Sequence, residues 1–310
     1  MSDTTRIRVV PHFMRLHEWI ALETGAYQAE GLEPELLSEV MHEVSSHGRD
    51  PYFERPQDRP FLAGGMEVAN SACEWGSVCN AGAGMGKFVA DLYGVARFAI
   101  FARPGSELSR LSELAGVPVG VGLMAGSHFT TLRTLEHVLP RGQVKVENVG
   151  GPGRRLLALL DGEVEVANLL DPEIAIAEEK GLTKLAQGEF RTLFWVSPGI
   201  PAEALGAYFR ALRRADVALR SEPSRYMPLW KNNLPPALAG THDWLRFGLG
   251  ELLVFEPYPE QTFDEAVDFA RRWGLDGNMR SETFAELAAP PSNVAIASVG
   301  QLETASHPDS

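Results

Sequence analysis

The chain has 310 residues, 45% hydrophobic and 22% charged, the composition of an ordinary globular protein with enough length for two lobes. Its 28 basic and 41 acidic side chains leave a net charge of -13, which disfavours nucleic acid and anionic membrane surfaces as partners but still allows a local pocket for a small anion. No apolar run approaches the length of a membrane helix, so no membrane insertion is expected, and the polar start, Met1 to Thr5, does not read as a secretory leader. Two cysteines, Cys73 and Cys79, say little about redox compartment; with no leader read at the start, the expectation is a cytoplasmic protein with both thiols reduced.

In chain order, Arg6 to Val10 predicts a strand, Pro11-His12-Phe13 a loop, and Leu16 to Thr24 an amphipathic helix stopped by Gly25. A second strand spans Gly31 to Leu37. The polar stretch Met41 to Pro60 is long for a connection, and such loops are often functional. Val68 to Ala72 predicts a strand that runs into a glycine-rich, helix-like segment ending near Lys87. Gly82-Ala83-Gly84-Met85-Gly86-Lys87 lacks the first glycine and the Ser/Thr of a phosphate loop, and reads as close helix packing.

Phe98 to Ala102 predicts a strand crossing between lobes. A short helix at Leu111 to Leu114, a strand at Val117 to Gly122 and a helix opened by Gly126-Ser127 and running to Leu139 follow. Then come a helix (Arg154 to Leu160), a strand (Val164 to Leu169), a helix (Pro172 to Lys180) and a returning strand (Thr192 to Val196). The remainder reads as helical over Pro201 to Arg220, Pro223 to Leu234 and Phe263 to Trp273. Phe61 to Asn70 and Leu159 to Asn168 repeat one phrase, a glycine followed by a short apolar strand ending in Val-Ala-Asn. Two lobes on one plan, with strand ends facing each other, make a cleft of the kind in which open α/β sheets bind ligands. The expected division is residues 1–97 for the first lobe, 98–196 for the second, 197–289 for a helical return to the first, and 290–310 for a mobile tail.

This order resembles the sulfonate-, nitrate- and thiamine-precursor-binding branch of the type II periplasmic binding proteins. The phrases that carry the likeness are Glu23 to Pro34, Arg103-Pro104-Gly105-Ser106 with Leu111 to Val121, Gly126-Ser127, and Leu170-Asp171-Pro172-Glu173. The resemblance implies an α/β, two-lobed fold with a hinged inter-lobe cleft. Most members of that branch are receptors for ABC importers, and some cytosolic relatives are enzymes. The cysteine-rich run and lysine-plus-histidine pair of the pyrimidine synthases are absent here. Aromatic sulfinate desulfinases use a histidine in the loop after strand two and an arginine before a Gly-Gly, and His47, Arg59 and Gly64-Gly65 have similar placement. Their nucleophilic cysteine follows the first strand, where this chain has Pro11-His12-Phe13, so that covalent chemistry does not carry over.

Several residues could carry chemistry. His12 can act as acid or base near neutral pH or bind an anion when protonated; it could equally be a capping or packing histidine. Arg59 can grip a carboxylate or sulfo group through two parallel hydrogen bonds, or belong with His47 to a solvated loop. Ser71 to Trp75 leads into a helix start that can bind an anion. Cys73 there reads as a nucleophile or as a small buried hydrophobe, and Trp75 as a pocket wall or as core. Gly126-Ser127-His128 reads as an anion site at a helix start, or as a capped helix with no ligand. Asp171 and Glu173 either hydrogen-bond a ligand or cap the following helix. No cofactor and no metal are expected, because the histidines and cysteines lack paired zinc spacing. The function expected is a cofactor-independent lyase, of desulfinase or decarboxylase type, closing on a small aromatic or organic acid. The alternative is a non-catalytic binding protein or sensor, with an ABC permease as partner if it is secreted.

Overall fold

In the first strand, β1 (Thr5–Val9), Ile7 and Val9 are buried while Thr5 and Arg6 face water, the alternation of a strand with one face on a core. The computed structural model describes residues 4–38, 68–277 and 279–292. β1 lies between β2 (Leu32–Leu36) and β3 (Val68–Cys73), parallel to both. The helices α1 (His17–Glu23) and α2 (Ala26–Ala29) return the chain from β1 to β2, and both pack on the long helix α7 (Ala202–Ser221). The turn between them is Gly25, at φ +73, where the expected helix stop falls.

After β3 the chain enters α3 (Glu74–Gly82), buried along its whole length, and then the two-residue β4 (Lys87–Phe88). β5 (Tyr93–Ala102) crosses into the second half. There β6 (Pro118–Val121), α4 (Gly126–Leu135), β7 (Lys145–Asn148), α5 (Pro152–Leu160), β8 (Val166–Leu170) and α6 (Glu173–Glu179) follow in turn. β9 (Thr183–Val196) crosses back. α7 is followed by α8 (Pro223–Tyr226), 3-10 turns at Met227–Asn233 and Trp244–Phe247, β10 (Leu252–Val254), α9 (Glu260–Trp273) and α10 (Phe284–Leu287).

The strands form one continuous sheet in the order β2-β1-β3-β9-β5-β8-β6-β7, with β10 on β5 and β4 on β9. β5 and β9 run antiparallel and pair from Gly94 opposite Thr192 to Ala102 opposite Thr183, with a register shift at Ile100/Phe101. One end of this ribbon pairs with β3 through Thr192 to Val196. The other pairs with β8 through Phe98 to Ala102. The expected strands Phe98 to Ala102 and Thr192 to Val196 are therefore the parts of β5 and β9 that pair with β8 and β3. The expected boundary between 97 and 98 falls inside β5, and that between 196 and 197 falls at the end of β9. Residues 61–67 of the repeated phrase lie outside the described residues, as does most of the 290–310 tail. The repeat survives as Val-Ala-Asn in β3 and again in β8, one in each half.

Candidate functional site

The loop after β1 turns back on itself, with the Arg15 amide donating to the His12 carbonyl at 3.1 Å, and this brings two charged side chains under the sheet. Arg15 is fully buried, its guanidinium 4.3 Å from the centroid of the Phe194 ring. It donates to Glu18 (2.9 Å from Nε), to both oxygens of Glu251 (3.2 and 3.3 Å) and to Ser71 Oγ (3.3 Å). Glu251, also fully buried, accepts from His12 Nδ1 at 2.5 Å and from the Thr192 hydroxyl. Tyr208 donates to Glu18 at 3.2 Å. Burial pushes the Glu251 carboxyl up, but the charges of His12 and Arg15 and the hydrogen bonds from His12 and Thr192 outweigh it and hold the group at about 2. With His12 protonated, the cluster holds two cations and two carboxylates, the condition under which buried charge is tolerated.

The carboxyl ends of β3 and β6 launch α3 and α4 toward each other. Cys73 caps α3, its Sγ accepting from the Gly76 amide at 3.3 Å. A Cβ built on Gly126, the first residue of α4, would stand 2.9 Å from the Phe190 ring and 3.4 Å from Cys73 Cβ. One built on Gly76 would stand 3.3 Å from the Met124 carbonyl oxygen. The two helix starts thus abut, and a side chain at Gly126 would have to displace the Phe190 ring. Their first amides have no partner within the helix, so both ends carry partial positive charge.

Ser127 and His128 serve the turn itself. Ser127 Oγ accepts from the Gly122 amide (3.0 Å), and His128 Nδ1 accepts from the Met124 amide (3.2 Å). Burial lowers His128 to about 4, so at neutral pH it is uncharged and adds no cation to an anion site. What α4 offers an anion is its backbone. Trp75 lies flat against Phe129 (centroids 5.6 Å apart, 12° between planes) and near Phe190 (6.4 Å), joining the two halves.

In the second half, Asp171 takes a two-point contact from Arg97 (2.9 and 2.8 Å). Glu173 begins α6 and is 2% exposed. Its Oε2 and the Nη2 of buried Arg155 are polar atoms with no hydrogen-bond partner among the described residues. Burial raises Glu173 to about 8 and lowers Arg155 to about 10. A Cβ on Gly153 would lie 3.7 Å from Glu173 Oε1 and 2.6 Å from Pro235 Cγ, so this cluster also meets the other half.

The structure therefore brings His12 and Ser71 into one charged cluster, sets Cys73 and Trp75 against Gly126, and seats Asp171 and Glu173 at the second half's strand end. His47 and Arg59 lie outside the described residues. Arg15, Glu18, Thr192 and Glu251 were not anticipated. Their signal was charge in apolar surroundings: Arg15 and Glu18 flank Leu16 at helical spacing, and Glu251 interrupts Leu249 to Val254. Among the described residues no group of three or more His, Cys, Asp or Glu is placed to hold a metal ion, and no helix is long and apolar enough to cross a membrane.

No family model and no curated protein sequence matches the chain. Solved structures do. The alkanesulfonate-binding protein SsuA from Xanthomonas axonopodis pv. citri, bound to MOPS, is similar with a TM-score of 0.66 at 14% identity, over 94% of this chain and 100% of that one. The chain has the type II periplasmic-binding-protein fold. The desulfurization enzyme DSZB is similar with a TM-score of 0.60 at 16% identity, covering 93% of this chain and 97% of that one. A DSZB mutant in complex with biphenyl-2-sulfinic acid gives a TM-score of 0.61 at 14% identity, over 93% and 97%. Likeness at these identities fixes architecture and leaves function to the site.

Proposed function

We propose that the chain is a small-organic-anion-binding protein whose lobes close over the ligand where the His12 loop, Cys73 and Gly126 converge. The observation that carries this is the meeting of two helix amino termini, α3 from one lobe and α4 from the other, at Gly126, where a side chain would press on the Phe190 ring. Two helix amino termini with their dipoles directed at one place favour negative charge between them. SsuA binds alkanesulfonates and the DSZB mutant holds a sulfinic acid, which supports a carboxylate or sulfur oxyacid as the anion. Calorimetric titration with alkyl and aryl sulfonates, sulfinates and carboxylates tests the reading. At least one class is expected to bind, at least tenfold more weakly in Gly126→Val; silence across the whole panel sinks it.

The short contact between His12 and Glu251 favours a further, catalytic step in the same cleft. A buried carboxylate orients the imidazole through Nδ1, an arrangement that suits proton transfer. In a decarboxylation the carbon–carboxylate bond breaks, its electron pair stays on carbon, carbon dioxide leaves, and His12 delivers the proton to that carbon. In a desulfination the carbon–sulfur bond breaks in the same sense, and water adds to sulfur to give hydrogensulfite and regenerate the proton. Neither route needs a redox partner. Release of carbon dioxide or sulfite above a protein-free control is expected, with turnover lost and binding kept in His12→Gln. Binding without any product formation leaves the protein as a receptor or sensor, for which an importer permease is the partner of an exported form.

A further inference from the structure

A crevice of about 310 Å3 opens beside the cleft, between α3, α4 and α9, with Arg191 of β9 on its wall. Its apolar surface is Trp75 and Phe269, with ring centroids 5.8 Å apart. Arg133 reaches in from α4, its guanidinium 5.8 Å from the Trp75 ring centroid, and Arg191 lies 5.8 Å from the ring of Tyr93. Among the described residues neither guanidinium is in an ion pair.

The acidic side chains that share the crevice already have partners. Glu136 accepts from Arg272 (3.3 Å) and from Trp273 Nε1 (3.0 Å). Asp268 accepts from Arg271 (2.8 Å), and Glu265 accepts from Gln261 (3.1 Å). Glu74 is buried and accepts from the Tyr258 hydroxyl at 3.2 Å. Its burial raises it to about 7, against the pull of Arg191, Tyr258 and Arg133, so the carboxyl is a hydrogen-bond donor for much of its population near neutrality. Two guanidinium groups without an ion pair among the described residues, the Glu74 carboxyl they act on, and two aromatic faces remain.

We propose that this crevice is a binding site for one small aromatic acid, carboxylic or sulfonic, its anion held by Arg133 and Arg191 and its ring laid against Trp75 and Phe269. The volume suits a single substituted ring, and guanidinium groups match either anion. The site is separate from the junction of His12, Cys73 and Gly126 and does not depend on what binds there. Since α4 belongs to one lobe and α3 and α9 to the other, an occupant touches both and favours their contact.

The test is 19F NMR titration of the full chain with 4-fluorobenzoate and, in a second arm, 4-fluorobenzenesulfonate. Binding of at least one probe is expected, weakened about tenfold by Arg133→Gln and by Arg191→Gln. The arm that binds names the acid. Failure of both probes to bind overturns the proposal, as does affinity unchanged in both arginine variants.

Discussion

Glu251 is the residue on which most polar contacts beneath the sheet converge, and Gly94 is what makes room for it. A Cβ on Gly94 would stand 1.9 Å from Glu251 Oε1 and 2.2 Å from the Thr192 hydroxyl oxygen, so β5 can pass this carboxylate only as bare backbone. Gly94→Ala is expected to unfold the protein or lower its stability by several kcal/mol, read by urea denaturation. Glu251→Ala strands buried Arg15 beside an unbalanced His12 and is expected to cost about 3 to 5 kcal/mol. Because the Glu251 carboxyl is held at about 2, its contribution is present above the ordinary carboxylate range and is lost as pH falls toward 2.

Glu173 and Glu74 act in the opposite sense and in another window. Burial raises them to about 8 and about 7 from 4.5, so their contribution is complete below about pH 4.5 and is lost as pH rises through 7 and 8. Stability is expected to fall between pH 5 and pH 8. Glu173→Gln should flatten that slope by up to about 3 kcal/mol, measured as denaturant midpoints at the two pH values. A slope unchanged by the substitution would refute the assignment. Of these residues the sequence showed His12, Ser71, Cys73 and Glu173 as chemistry-bearing types at strand ends. It hid the cluster that Arg15 and Glu18 join, because Glu251, which completes it, lies 236 positions from Arg15 and 239 from His12, which no local spacing records.

The order of strands and helices follows from local pattern, and the elements that escaped it are those with little pattern to show. β7 is four residues with an almost wholly solvated surface, and β10 is three residues long. β5 and β9 were foreseen only over Phe98 to Ala102 and Thr192 to Val196, where every residue is buried and the short apolar run shows in the sequence. The start of α4 was foreseen, but the use of its side chains was not. Ser127 and His128 turn inward because the tight loop from Gly122 has amides to satisfy, and a sequence does not say whether a hydroxyl serves a ligand or its own turn. At this scale Gly126→Val is the informative change. It should hold α3 and α4 apart at Phe190 and Cys73, raising the radius of gyration in small-angle scattering while far-ultraviolet circular dichroism stays the same. An unchanged radius would mean that the lobes do not close on this contact.

For the molecule as a whole, two lobes on one plan were legible from repeated phrases and element order, and the solved structures agree over nine-tenths of the chain. What remained unread is that the lobes share a single sheet. A ligand that binds only the closed form should raise stability by about 2.7 kcal/mol at a hundredfold excess over its Kd, seen as a shift in thermal midpoint. The same ligand should slow exchange of amides at the lobe contact.

The ribbon of β5 and β9 carries a mechanical consequence. Both spans linking the lobes are strands bonded to each other from Gly94 to Ala102, not slack connectors. A gape between the lobes must therefore be absorbed as torsion spread along a pleated tape, with its rungs intact. Deuterium uptake along that tape should stay equally slow with the jaws apart or together, and the chain can swing without ever loosening its spine.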